Sequence, residues 1–312
     1  MFRLAHLSDI HLGPLPDVGY LDLVSKRITG YINWHRNRAG RISQGVLERI
    51  VASMQEARPD HVAVTGDLMN LALDEEIDEA REWLTTLGDP AHVSVVPGNH
   101  DAYVPGALRK AARAWRAWKT GEDGWATRND NGYPYVRVRG PLAIVGVSSA
   151  LATAPFLASG DFSSKQAKRM GAILSRAGAE GLCRVVLIHH PPVRGADPAH
   201  KRLYGIGTFQ ETLCEHGAEL VLHGHTHLAT LNWIGGRDRP VPVVGVAAAG
   251  EGHGGEKPLA QYNLIDVDGA PGQWRLRLSR HGLTAPDSPV TRLSVEDLVP
   301  PGERRGAPLV RA

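Results

Sequence analysis

The sequence has little cysteine and no long apolar segment. Its 312 residues include only Cys183 and Cys214, which lie far apart and form no CxxC pair, and this argues against a cysteine-bound zinc or redox motif. A chain of this length folds without disulfides, so we predict two inert, buried thiols. No stretch approaches the roughly 18 apolar residues of a membrane-spanning helix. The first residues lack the apolar core of a signal peptide, and we expect a cytoplasmic location.

An excess of charge of one sign is also lacking. Lysine and arginine total 35 and aspartate and glutamate 33, which gives a formal net charge of +2. Proteins that bind long nucleic acids usually present a strongly basic face, so we expect no long nucleic acid among the partners. Hydrophobic residues make up 42% of the chain, as in ordinary globular domains.

Short apolar runs and segments of helical spacing alternate along the first third of the sequence. We predict strands at 4–8, 61–65 and 92–96 and helices at 42–57 and 74–87. This alternation is typical of a parallel α/β sheet. Further strands are predicted at 135–138, 142–147, 185–188 and 220–222, helices at 105–119, 163–176 and 208–216, and antiparallel strands at 230–234, 241–248, 262–267 and 274–279. Residues 283–312 are rich in Pro and Arg, and we predict an irregular tail.

Five of the predicted strands end in loops that carry Asp, Asn or His. The loops are Ser8-Asp9-Ile10-His11, Gly66-Asp67-Leu68-Met69-Asn70, Gly98-Asn99-His100-Asp101, His189-His190-Pro191-Pro192 and His223-Gly224-His225-Thr226-His227. Ligands of open α/β sheets gather at the carboxyl ends of the strands, so one site can draw on all five loops. Carboxylates, an amide oxygen and imidazoles without a thiolate suit Mn, Fe, Zn or Co.

The five loops, in this order, resemble the motifs of the calcineurin-like metallophosphoesterase superfamily. Those motifs are DxH, GD, GNH followed by Asp or Glu, a histidine at a strand end, and GHxH, and all five are present between residues 2 and 227. One motif alone is a weak signal, whereas five in order, each after a predicted strand, are specific. The resemblance implies an α/β fold, a four-layer αββα sandwich of two mixed β-sheets flanked by helices, with a catalytic domain over 1–282.

The resemblance also implies two divalent or trivalent metal ions (Mn, Fe or Zn) and their ligands. One ion would be held by Asp9, His11 and His227. The second would be held by Asn99, His189 and His225. Asp67 would bridge the two ions, because a shared carboxylate reduces the repulsion between cations roughly 3.5–4 Å apart. His190 is the alternative to His189, which we prefer because it directly follows the strand.

The chemistry that such a pair of ions supplies is hydrolysis. A metal ion lowers the pKa of its bound water from 15.7 to about 7, so that metal-bound hydroxide is present at neutral pH to attack phosphorus. In the superfamily, the histidine at the position of His100 contacts the phosphate or assists the leaving group, and we assign that catalytic role to His100. The alternative is a histidine that holds its loop through a backbone hydrogen bond. His223 and His6 are expected to be structural, and Asp101 to support its loop.

Residues 13–41 form an insertion longer than a strand-to-helix turn. Leu21, Val24, Ile28 and Ile32 have helical spacing, and Lys26, Arg27, Arg36, Arg38 and Arg41 make this the most basic stretch of the chain. One interpretation is a cap over the substrate site that also makes peripheral membrane contact through 20–41 with anionic lipid. The other is a helix packed on the sandwich with a solvated basic face.

The function favoured by these observations is phosphodiesterase activity on a small or medium substrate. Two branches of the superfamily fit: cyclic-nucleotide phosphodiesterases, and the pyrophosphatases that cleave UDP-2,3-diacylglucosamine. A DNA nuclease is an alternative, although the low net charge disfavours a DNA channel. A catalytically inactive protein-binding scaffold of the same fold is the other alternative, and it predicts lost ligand residues.

Overall fold

A computed structural model describes residues 1–20, 22–38, 40–125 and 131–302, with Asn37 and Arg38 described by their backbone alone. The described residues form fourteen strands and six α-helices. The strands are β1 Phe2–Leu7, β2 His61–Val64, β3 Val93–Val95, β4 Tyr135–Arg139, β5 Leu142–Gly146, β6 Gly160–Asp161, β7 Cys183–Leu187, β8 Leu203–Tyr204, β9 Leu220–His223, β10 Leu231–Ile234, β11 Val241–Gly245, β12 Gln261–Asp268, β13 Arg275–Gly282 and β14 Thr291–Asp297. The helices are α1 Arg27–Asn33, α2 Gln44–Glu56, α3 Asp74–Thr86, α4 Ala107–Ala114, α5 Ser164–Ala179 and α6 Ile206–His216.

Twelve of these strands form two six-stranded mixed sheets. The first sheet has the order β14-β13-β12-β1-β2-β3, in which β1, β2 and β3 are parallel and the others antiparallel. The second has the order β10-β11-β9-β7-β5-β4, in which β5, β7, β9 and β11 are parallel. The short strands β6 and β8 pair separately.

Successive side chains along a strand serve different layers of the core. In β5, Leu142 and Ile144 belong to the cluster shared by both sheets, whereas Ala143 and Val145 belong to the cluster beneath α5 and α6. A third cluster joins the outer face of the first sheet to α2, α3 and α4. Because side chains alternate across a strand, each sheet buries both faces. The layers are therefore helix, sheet, sheet and helix, and the predicted αββα sandwich is confirmed.

The chain departs from the sequence-based prediction at its carboxyl end. Residues 291–297 form β14, the edge strand beside β13, so the prediction of an irregular tail over 283–312 is wrong for this segment, and residues 303–312 lie outside the described part. The prediction of two buried thiols holds for Cys183 but is wrong for Cys214, which is exposed. Among the described residues, the helices are all too short or too polar to cross a membrane.

The insertion at 13–41 packs against the domain. Its helix α1 is followed by a π-helix, Trp34–Arg38, while Leu21 lies outside the described residues. Gly30 is buried so tightly against Tyr103 and Leu71 that a methyl group there would overlap both. The guanidinium of Arg27 donates to the carbonyl oxygens of Leu71, at 3.0 Å, and of Ala72. Part of the basic character of this segment thus serves to attach it.

Candidate metal centre

The predicted ligands all follow strands that end at one edge of the two sheets. Asp9 and His11 follow β1, Asp67 follows β2, Asn99 follows β3, His189 follows β7, and His225 and His227 follow β9. Ligating atoms of Asp9, His11 and His227 lie within 4.8 Å of one another, and so do those of Asp67, His189 and His225. The structure therefore brings together side chains that are more than two hundred positions apart.

The first group is organised around the Asp9 carboxylate. Its Oδ1 lies 3.2 Å from Nε2 of His227. Its Oδ2 accepts the backbone N–H of His225 at 3.0 Å. The ring of His11 lies 5.4 Å from that of His227, measured between centroids. The loops that follow β1 and β9, one from each sheet, therefore bring their side chains together.

Asp67 lies between the two groups. Its Oδ2 is 3.3 Å from Nε2 of His189 and 3.9 Å from Nε2 of His11. Its Oδ1 accepts the backbone N–H of His100 at 2.8 Å. One carboxylate thus approaches a histidine of each group, which is the arrangement that a bridging ligand requires.

Asn99 provides a direct test of whether a cation fits. Its side chain is buried, and its Oδ1 accepts no hydrogen bond from the described residues. A buried acceptor without a partner costs roughly 1–3 kcal/mol. Coordination of a hard cation by this oxygen would remove that cost. The donor set of carboxylate, amide and imidazole therefore fits divalent metal ions.

Backbone carbonyls orient the histidine rings. Nδ1 of His11 lies 3.1 Å from the oxygen of Met69, and Nδ1 of His189 lies 2.6 Å from that of Thr65. Because a carbonyl oxygen can only accept, each Nδ1 carries a proton, and Nε2 is the ring nitrogen directed toward Asp67. In His225 the assignment is reversed, since Nε2 donates to the oxygen of Lys201 at 3.0 Å.

Backbone strain is concentrated at these residues. Eight described residues other than glycine have a positive φ, and five of them are predicted ligands: Asp9, His11, Asp67, His225 and His227. A non-glycine residue in the left-handed region costs on the order of 1–3 kcal/mol and persists only where its surroundings enforce it. The loops are therefore held in conformations that aim side chains rather than in relaxed turns.

The electrostatics keep both aspartates ionised at neutral pH. Burial acts to raise the pKa of Asp9, but attraction to His227 outweighs it and the pKa lies below its ordinary value. The same balance, with His189 and His100 as the main partners, holds the pKa of Asp67 well below its ordinary value. Burial acts to lower the pKa of His189, but attraction to Asp67 outweighs it and raises this pKa to about 9. Two buried, ionised carboxylates this close together favour the binding of cations.

His100 stands at the rim of the site. Its Nδ1 donates to the oxygen of Asn70 at 2.6 Å, and its ring stacks on Tyr103 at 5.3 Å between centroids. One of its ring nitrogens lies within 4.8 Å of the ligating atoms of His11 and Asp67. Because Nδ1 donates to Asn70, Nε2 is the ring nitrogen that keeps a lone pair in the neutral imidazole.

The neighbouring histidines have other partners. His190 lies 2.8 Å from the hydroxyl of Ser149 and 3.0 Å from the oxygen of Ala158. The structure therefore brings His189, and not His190, to Asp67. His223 is buried and hydrogen-bonds within its own turn to the oxygen of Gly224, as its expected structural role requires.

A pocket beside the centre contains residues that the sequence did not single out. It has a volume of about 170 Å³ and adjoins His11 and His227; the rest of its lining is Asn33, Arg41, Ile42, Ala248, Glu251 and Lys257. Arg41 pairs with Glu251 at 3.0 Å. The ammonium of Lys257 donates to the oxygen of Thr226 at 2.7 Å, within the loop of His225 and His227. Arg41 belongs to the basic stretch of the insertion, whereas no motif surrounds Lys257, which only the folded chain reveals.

One protein family matches the sequence of this chain, and solved structures resemble its fold. The family described as calcineurin-like phosphoesterase matches residues 2–229. A dimetal phosphatase from Danio rerio has a similar structure, with a TM-score of 0.60 and 12% identity over 94% of this chain and 98% of that one. The purple acid phosphatase PPD1 from yellow lupin (Lupinus luteus) seeds has a TM-score of 0.52 and 10% identity over 90% of this chain and 51% of that one.

These two likenesses are too distant in sequence to show more than the fold, and no curated protein matches the sequence. The family match covers the whole segment from β1 to the second histidine of the GHxH motif. It contains all seven predicted ligands and the five strands that carry them. This chain belongs to the calcineurin-like phosphoesterase family.

Proposed function

We propose that this protein is a phosphodiesterase that uses two metal ions to hydrolyse a phosphodiester or pyrophosphate bond in a small or medium substrate. The observation that carries the proposal is the position of Asp67, whose Oδ2 lies 3.3 Å from Nε2 of His189 and 3.9 Å from Nε2 of His11. Family membership supports the reaction class.

We propose the division of ligands that the family resemblance implies. Asp9, His11 and His227 hold one ion, Asn99, His189 and His225 hold the other, and Asp67 contacts both. Mn, Fe and Zn all suit these oxygen and nitrogen donors. When bound, the two ions polarise the phosphoryl oxygens and lower the pKa of a coordinated water.

The chain's own residues complete the proposed site. Nε2 of His100, with Nδ1 fixed on Asn70, contacts a phosphoryl oxygen or the leaving oxygen. Lys257 and Arg41 present positive charge to the pocket beside His11 and His227, where the remainder of the substrate lies. An anionic or hydroxyl-rich remainder suits this lining, as in a cyclic nucleotide or a UDP-2,3-diacylglucosamine-type pyrophosphate.

Metal analysis and a substrate panel test the proposal. The purified protein is loaded with Mn²⁺, its metal content is measured, and it is assayed with bis-p-nitrophenyl phosphate, p-nitrophenyl phosphate, cyclic nucleotides and UDP-2,3-diacylglucosamine. We expect two metal ions per chain and faster cleavage of diesters or pyrophosphates than of the monoester.

Asp67→Asn is the matched control, because it removes the charge and keeps the shape of the side chain. We expect it to lose at least one metal ion and almost all turnover. A metal-loaded wild type that cleaves none of these esters would contradict an enzymatic role and favour a binding scaffold. Preference for the monoester would contradict the assignment as a phosphodiesterase.

A further inference from the structure

Exposed apolar side chains are concentrated on one part of the surface. The described residues include eleven large apolar side chains that are exposed, and seven of these lie in the segments 20–32 and 150–158. We call these seven the apolar patch: Tyr20, Val24, Ile28, Ile32, Leu151, Phe156 and Leu157. Exposed apolar side chains that are scattered singly need no explanation, whereas a cluster indicates an interaction site.

The two segments are joined to each other. The ammonium of Lys26 donates to the hydroxyl of Thr153 at 2.6 Å and to the oxygen of Leu157 at 2.9 Å. Because Lys26 lies between Val24 and Ile28 in the chain, these bonds place the two halves of the patch side by side. The insertion at 13–41 and the loop at 150–158 therefore present one surface.

The patch borders the candidate metal centre. The ammonium of Lys26 lies 4.6 Å from the centroid of the Tyr103 ring. The ring of Tyr103 also stacks on that of His100, at 5.3 Å between centroids. Only two side chains thus separate the surface from the rim of the site.

Phe156 is the most exposed member of the patch that belongs to the loop. Its exposed fraction is 83%, and its φ is 66°. A bulky residue in the left-handed region is an outlier that its surroundings must enforce. The loop therefore holds an apolar ring out in water, which is unfavourable unless the ring enters an apolar phase.

Lysine and arginine side chains border parts of the patch. The loop at 150–158 contains no charged residue, but its N–H at Ala158 donates to His200, and the exposed Lys201 and Arg202 follow directly. On the other side, Arg36 is exposed in the turn after α1. Apolar side chains bordered by lysine and arginine are typical of surfaces that bind an anionic bilayer.

We propose that the apolar patch docks this protein on a lipid bilayer with anionic headgroups, with Phe156 and the Val24–Ile28 face entering the interface and Arg36, Lys201 and Arg202 contacting the headgroups. A second copy of the chain is the less suitable occupant, because a symmetric contact would place the same cations opposite one another. The metal centre then opens beside the membrane surface.

Vesicle co-sedimentation tests the proposal without any substrate, so its result is independent of the proposed function. The full chain is mixed at low salt with vesicles of phosphatidylcholine alone or of phosphatidylcholine with phosphatidylglycerol. We expect binding to the mixed vesicles that weakens as salt is added, and little binding to the neutral ones.

The decisive variant is Val24→Ser, Ile28→Ser, Phe156→Ser, in which all three side chains are already exposed and folding is therefore preserved. We expect its binding to fall at least about tenfold, because the inserted apolar area is lost. The matched control is Leu293→Ser, Val295→Ser on β14, whose two side chains are exposed at the far edge of the first sheet, and it should bind like the wild type.

Three results would overturn the proposal. The first is a wild type that fails to sediment with anionic vesicles. The second is a triple variant that binds as well as the wild type. The third is a concentration-dependent dimer, seen by sedimentation velocity, that the triple variant abolishes, since the patch would then be an interface between copies. Unfolding temperatures of all variants are measured alongside to show that each is folded.

Discussion

The buried carboxylate of Asp101 accepts the backbone N–H of Asp67 at 2.8 Å, so one acid holds the other in place between the two donor groups. The oxygen that accepts this N–H is Oδ2 of Asp101, and it also accepts the N–H of Gly98 at 2.8 Å. The other carboxylate oxygen, Oδ1, accepts the N–H groups of Leu68 and Met69. Asp101 thereby ties the loop after β2 to the loop after β3. Burial and the nearby charge of Asp67 raise the pKa of Asp101 to about 7, and the N–H groups of Gly98 and Met69 act against this rise.

Replacing Asp101 with Asn should weaken both the fold and the metal centre. Whichever oxygen becomes the amide nitrogen, an NH₂ group then faces two backbone N–H donors, and the loop must shift. We expect a loss of about 1–3 kcal/mol in the free energy of unfolding. We also expect roughly 10–100-fold weaker metal binding, as when a group that orients ligands is removed. Urea unfolding without metal and calorimetric titration with Mn²⁺ measure the two effects.

Glu76→Gln is the control for this prediction. Glu76 is also buried and accepts the N–H groups of Asn70, Leu71 and Leu73. It stabilises the start of α3, and none of these three partners is a predicted ligand, so its loss should lower stability with little change in Mn²⁺ affinity. Equal losses of affinity in the two variants would contradict a specific role of Asp101.

Most of the fold and of the site is encoded locally, and this is why the sequence predicts it. The alternation of Leu142, Ala143, Ile144 and Val145 between two core clusters is the period-2 pattern of a strand buried on both faces. The predicted ligands are found at the ends of such strands. Parallel strands bring their carboxyl ends to one edge, so that distance along the chain does not matter there.

Features that depend on distant partners were not predictable. Strand β14 is formed by pairing with β13, and its apolar side chains Leu293 and Val295 are exposed. Its sequence therefore lacks the alternation of buried and exposed residues that predicts a strand. Arg137 lies in a strand and looks solvated, yet it is buried because carbonyls such as those of Pro90 and Val93 accept its N–H groups. The pocket cations meet only after folding, for the same reason.

His100→Ala should lower turnover and leave the metal ions in place. The variant removes the ring whose nitrogen lies within 4.8 Å of the ligating atoms of His11 and Asp67, and it changes neither of those residues. Loss of one donor or general acid lowers kcat by about 100-fold or more. The assay is hydrolysis of bis-p-nitrophenyl phosphate with metal content measured on the same sample. His11→Ala is the comparison, and it should lose metal. A metal-depleted His100→Ala protein would instead make His100 a ligand.

Gly98→Ala should damage the centre through sterics alone. A Cβ at Gly98 would overlap the Oδ1 of Asp67 and crowd its backbone nitrogen, so the Asp67 carboxylate must move. We expect reduced metal content and turnover in a protein that still folds. Gly45→Ala is the matched control: Gly45 lies exposed in α2 with open space around it, and alanine there should leave the centre unchanged and favour the helix by up to about 1 kcal/mol. Normal metal content in Gly98→Ala would refute this account of the loop.

Lys257→Met should raise KM selectively. The ammonium lies in the pocket beside His11 and His227, so its loss should weaken substrates that carry a further anionic group. We expect KM for a pyrophosphate substrate to rise about tenfold, the effect of roughly 1.4 kcal/mol, while KM for bis-p-nitrophenyl phosphate, which has one anionic group, changes little. If Lys257→Met changed KM by the same factor for both substrates, Lys257 would not contact a second anionic group of the substrate.

His61 should contribute to acid sensitivity far from the metal centre. It lies at the start of β2, at the end opposite the site, and its Nε2 is 2.8 Å from the hydroxyl of Ser94. Burial, together with Arg137 and Arg139, lowers the pKa of His61 from 6.5 to about 3. Below pH 6.5, His61 is protonated in the unfolded chain but stays neutral in the folded chain. Stability is therefore lost as the pH falls from 6.5 toward 3. By about pH 5 the loss reaches about 2 kcal/mol.

His61→Gln should lack this component: its free energy of unfolding, measured with urea, should fall less than that of the wild type between pH 7 and 5, while the two curves run parallel above pH 7. Identical acid slopes would show that His61 titrates alike in both states.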